Sequence, residues 1–109
     1  MNKVLNNLSE VIAKANDLFY SKFETLDTLM GIMDNNLRKQ GIQADAITID
    51  CIVLDKKIVI LLHDAKPDVV NVALGNKAGS IHSSSEYALN EFTVDSMLKI
   101  METYFVVSH

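Results

Sequence analysis

The spacing of the apolar residues changes period at Gly41, and no other feature of the chain restricts its fold as much. Between Asn2 and Gln40 there is no proline and one glycine, Gly31. Within that stretch Leu5, Leu8, Ile12, Ala15 and Phe19 advance by steps of 3, 4, 3 and 4, and Phe23, Leu26, Met30, Met33 and Leu37 repeat those steps. Such spacing lines up one face of an α-helix. The step from Phe19 to Phe23 sets a 4 after a 4, so the stripe shifts phase there. Ser21 and Glu24 fit a capping box, in which a hydroxyl and a carboxylate satisfy free amide groups at a helix start. The pattern therefore predicts a helical segment over 3–40, broken near 20–21 and stopped by Gly41. One continuous helix would be about 57 Å long, more than a chain of this size can cover.

After Gly41 the period is 2. Ile47, Ile49, Cys51 and Val53 alternate with Thr48, Asp50 and Ile52, the pattern of a strand with one buried face. Ile58 to Leu62 is apolar throughout, as suits the middle of a sheet, and Val69 to Leu74 makes a third strand. Ser80 to Leu89, polar apart from Ile81, Tyr87, Ala88 and Leu89, is a candidate fourth strand at an edge. The turns between them are short, which forces antiparallel pairing. Thr93 is placed as the N-cap of a last helix, with Asp95 in its first turn and Val94, Met97, Leu98, Met101 and Phe105 on one face. The expected fold is α+β: two N-terminal helices, an antiparallel meander of three or four strands over about 46–89, and a C-terminal helix over about 93–106. The helices should pack on one face of the sheet. At 109 residues this is one domain, 1–109.

The longest apolar run, Ile58 to Leu62, is far short of the roughly 20 residues that cross a bilayer. The N-terminus reaches Asn6 and Asn7 before any apolar stretch that could serve as a signal peptide, and the single cysteine, Cys51, excludes an intramolecular disulfide. We expect a cytoplasmic protein with no membrane association. Residues 1–41 carry five basic and five acidic side chains, whereas 42–109 carry five lysines against nine acids, so the whole net charge of -4 lies in the second part. An acidic surface without a basic stripe and interleaved aromatics disfavours nucleic acid.

His63, Asp64 and Asp68 form the most site-like cluster, since one imidazole and two carboxylates at a strand end are metal ligands or acid-base groups. The same residues around Pro67 also make an ordinary solvated turn. Cys51, in phase with Ile47 and Ile49, reads as a core residue rather than a nucleophile. His82 with Ser83, Ser84 and Ser85 lacks the glycine-flanked elbow that holds a nucleophilic serine out of a sheet. Gly75 to Ser80 lacks the lysine order and following helix of a phosphate loop. No cofactor is implied.

The two apolar stripes, out of phase with each other, exceed what a sheet of three or four short strands should cover. On that ground we expect a self-associating module, a homodimer with binding or regulatory function and no enzymatic activity. Leu5, Leu8, Ile12, Phe19, Phe23, Leu26 and Met30 would line its interface. A second reading is an adaptor or chaperone-like protein that holds an extended segment of a protein partner; in size, acidity and α+β character the chain is similar to small secretion chaperones. The third is a metal-dependent enzyme using His63 and Asp64.

Overall fold

The computed structural model describes residues 3–106. In chain order it contains α1 (Lys3–Lys22), β1 (Thr28–Met33), α2 (Asn36–Lys39), β2 (Ala44–Cys51), β3 (Lys56–His63), β4 (Val69–Gly75), β5 (Ile81–Ala88) and α3 (Val94–Phe105). Single 3₁₀ turns over Ile52–Leu54 and Leu89–Glu91 follow β2 and β5. The five strands form one antiparallel sheet in the order β1-β2-β3-β4-β5, each paired with its neighbours in the chain.

Alternation along the strands divides the sheet into two unlike faces. On one face Met30, Ile49, Ile58 and Leu74 lie side by side across four strands, and Ile32, Ile47, Ile60 and Val72 form the next row. Both long helices cover this face. Leu5, Leu8, Ile12, Ala15 and Phe19 of α1 and Met97, Met101 and Phe105 of α3 are buried against it. The helices also pack on each other: the Phe19 and Phe105 rings meet edge-on at 5.8 Å, and Lys22 Nζ donates to Glu102 Oε2 at 2.7 Å. α1 begins beside the β3–β4 turn, where Lys3 and Val4 line a depression with Asp64 and Pro67, and α3 follows the end of β5 at that same end of the sheet, so α1 and α3 run in the same direction. Thr93 caps α3 as its spacing predicts, accepting from the Ser96 amide, while Ser96 Oγ accepts from the Thr93 amide.

Among the described residues no long helix lies on the other face. Its rows are Gly31, Thr48, Val59, Ala73 and Ser84, then Met33, Ala46, Leu61, Asn71 and Glu86. Small residues dominate its middle, and a Cβ at Gly31 would stand 2.9 Å from Thr48 Oγ1.

Three expectations are corrected. The described residues form five strands rather than three or four, one long N-terminal helix rather than two, and no break at 20–21, since α1 continues to Lys22. The second predicted helix is replaced by β1 and the four-residue α2. Leu26, Met30 and Met33 keep helical spacing, but Thr28, Met30 and Ile32 equally mark one side of a strand, with Leu29, Gly31 and Met33 on the other. Both faces of β1 are apolar, so no polar alternation announced it. Gly31, costing a helix interior about 1 kcal/mol, was the signal against the helix. Gly41 does end α2, in the left-handed conformation at φ 87°.

The fifth strand widens the sheet, and with it the area that receives α1. Leu5, Leu8, Ile12 and Phe19, expected at a dimer interface, are at most 3% exposed within the chain's own core, with Phe23, Leu26 and Met30 packed at its margin. Within one chain Leu5, Leu8, Ile12 and Phe19 are thus core residues, and Phe23, Leu26 and Met30 keep part of their surface exposed.

Candidate functional site

The predicted cluster at the end of β3 is organised by a residue outside it. Arg38, the chain's single arginine, sits in α2, and the bend after α2 is held by Gly41 and by the Ile42 amide donating to the Leu37 carbonyl at 2.9 Å. From there its guanidinium reaches two carboxylates. Nε and Nη2 donate to Asp45 Oδ1 and Oδ2, both at 3.0 Å, and Nη1 and Nη2 donate to Asp64 Oδ2 and Oδ1 at 2.7 and 2.8 Å. Each carboxylate is thus gripped in the fork geometry that makes arginine pairs strong. The three side chains differ in exposure, at 5% for Asp45, 32% for Arg38 and 48% for Asp64.

The electrostatic consequence is direct. Hydrogen bonds to Asp64 and Asp45 raise the Arg38 pKa beyond any accessible pH, and the guanidinium holds the Asp64 carboxyl below its ordinary range. A carboxylate kept ionised by a permanent cation is a poor proton donor, and each oxygen of Asp64 already accepts one hydrogen bond from Arg38. The cluster acts as a strut joining α2, the start of β2 and the β3–β4 turn. A depression of about 360 Å³ beside it is lined by Lys3, Val4, Asp45, Leu62, His63, Asp64 and Pro67.

Asp64 faces Arg38, while Asp68 is exposed and its main-chain carbonyl accepts from the Leu89 amide at 2.9 Å. His63 lies half-buried opposite Ala44. Among the described residues no group of three or more His, Cys, Asp or Glu side chains is arranged to hold a metal ion. His82 stands at the other end of the sheet, where two β5 residues oppose Gly75, so it does not meet His63. Cys51 is wholly buried, as its phase predicts. Gly75 to Ser80 is a hairpin turn closed by the Asn76 side chain, which accepts from the Ser80 amide at 3.1 Å.

Arg38 and Asp45 were the residues that sequence reasoning missed. The available signal was Asp45 itself, in phase with Ile47 and Ile49 on the buried side of β2 and therefore in need of a cation.

A second concavity lies where α3 stops short of the sheet edge. It measures about 350 Å³, with Val72, Leu74 and Ile100 as apolar lining and Ser85, Tyr87, Ser96, Lys99 and Thr103 as polar lining. β5 forms one side and is exposed along almost its whole length.

No helix among the described residues is long and apolar enough to cross a membrane. Compared with family models, curated proteins and solved structures, the chain matches none.

Proposed function

We propose that the chain is a small non-enzymatic binding module of the cytoplasm that works as a self-associated pair. One observation carries this reading: the sheet is covered by helices on one face only, which leaves the second face and the outer strands as surface. On that second face Val59 and Leu61 of β3 are half-buried between small residues, Ala46 and Ala73 being 2% and 8% exposed, with Asp50, Lys57, His63 and Glu86 towards its margins. An apolar centre with a charged rim is the usual anatomy of a recognition surface. Cys51, buried in β2, is in keeping with a reducing compartment. Light scattering coupled to size exclusion tests the association. A dimer at tens of micromolar supports it, and a strict monomer there rejects it.

A specific feature favours a second reading, an adaptor that holds an extended segment. β1 is an edge strand without a charged residue, with Leu29 54% and Ile32 42% exposed, and Asp27 and Asp34 flank it. The complement is an apolar strand with basic residues at both ends, added by main-chain pairing. A synthetic peptide of that pattern, titrated by calorimetry, decides between binding and none.

A further inference from the structure

We infer that two copies of the chain pair through β5, antiparallel about a twofold axis at Ser85, and form one continuous ten-stranded sheet. This rests on the self-association proposed above and names the surface and register.

The first argument is the state of the strand. β5 has eight residues, no proline and no lysine, and seven of the eight are exposed. Natural edge strands of this length are usually blunted by such residues, by bulges or by a covering element. Here the one irregularity lies at the start, where Ile81 and His82 oppose Gly75, and Ser83 to Ala88 is regular. A strand that buries so little is ordered by its ladder with β4, and a second ladder would order it further.

The second argument is register. The Leu89 amide donates to the Asp68 carbonyl. By the alternation of an antiparallel ladder, residues 83, 85 and 87 turn their main-chain groups towards β4 and residues 84, 86 and 88 turn theirs outwards. A twofold partner must match outward groups to outward groups, which leaves few choices. With the axis at Ser84 the pairing runs into the bulge after one residue on each side. With the axis at Glu86 two carboxylates face each other. With the axis at Ser85, five consecutive pairs form without interruption. Ser84 then faces the partner's Glu86 on the open face, Ser83 faces the partner's Tyr87 on the helix face, and each contact occurs twice. The Ser84 hydroxyl faces the partner's Glu86 carboxylate, which in each chain also accepts from Lys66 Nζ at 3.3 Å, and no like charges stand directly opposite.

The third argument concerns the groove between β5 and α3. Ser85 and Tyr87 line it, and Ser85 is the residue on the axis. Pairing places the two grooves back to back, so that they become halves of one trough floored by both β5 strands and walled by both α3 helices, with Lys99 of each copy beside it. Neither chain alone encloses that trough.

Two variants test the inference, with Cys51 left in place because it is buried. Ser85→Cys sets two thiols on the axis at a Cα separation of about 4.5 Å, within disulfide range, whereas Ser83→Cys leaves them about 14 Å apart. Mild oxidation should link Ser85→Cys into a covalent dimer and leave Ser83→Cys unlinked. Ser84→Pro removes an outward amide that the β4–β5 ladder does not use, so the monomer fold is spared while the dimer loses two hydrogen bonds. Sedimentation should show dissociation strengthened about thirtyfold or more. A dimer that persists in Ser84→Pro and does not cross-link at 85 overturns the β5 pairing and leaves self-association standing. A wild-type monomer overturns both.

Discussion

Replacing Phe19 by alanine tests whether the α1 stripe belongs to the chain's own core. Phe19 is 0% exposed, its ring 5.0 Å from that of Phe23 and 5.8 Å from that of Phe105. Truncating a buried phenylalanine costs about 3–5 kcal/mol in lost transfer energy and cavity formation. The paired rings place this site in the upper half, because each aromatic contact adds about 0.5–1.5 kcal/mol beyond area. We expect a loss of about 4 kcal/mol. With an unfolding entropy of about 2.1 cal/mol/K per residue over the 109 residues, that lowers the melting temperature by about 17 °C. Tyr20→Ala, at a position 50% exposed, should change stability by less than about 0.5 kcal/mol. The assay is urea unfolding followed by circular dichroism, for wild type and both variants, at two widely separated protein concentrations. A core role requires the gap between wild type and Phe19→Ala to be equal at both concentrations. A Phe19→Ala midpoint close to wild type would refute the assignment, and a gap that depends on concentration would place Phe19 at an interface instead.

Two further outcomes follow from the strut and from the open face. Because Arg38 lowers the folded-state pKa of Asp64, its contribution is complete above the unfolded carboxylate value of about 3.9 and is lost as pH falls through the lower folded value. Arg38→Met should therefore flatten the stability-pH curve below about pH 4, measured as urea midpoints, and an unchanged slope would contradict the linkage. Gly31→Ala forces a methyl against Thr48 Oγ1 and should cost about 1–3 kcal/mol, largely recovered when Thr48→Ala is added. Additive losses in that double-mutant cycle would remove the steric explanation.

The strands after Gly41 and the last helix were legible because their signals are local. Ile47, Ile49 and Cys51 alternate, Ile58 to Leu62 is continuously apolar, and Thr93 precedes a helical stripe. β1 was not legible because its outer neighbours, Leu29 and Met33, are as apolar as its inner ones, so period 2 left no trace. The Ser21 and Glu24 pattern was present but unused, since the stripe to Phe19 had already committed that stretch to α1. The strut escaped for another reason. Asp64 was visible as a strand-end carboxylate, but its partner Arg38 lies 26 residues earlier and meets it through topology alone.

The order of the sheet also bears on how the chain reaches its fold. Each strand pairs with its neighbour in sequence, so the five strands can zip from any hairpin without closing a long loop. The contact between α1 and α3 is of the opposite kind, with Lys22 and Glu102 80 residues apart. During synthesis α1 emerges before all five strands and α3 after them, so the apolar stripe of α1 stays uncovered until the strands made after it assemble beneath it.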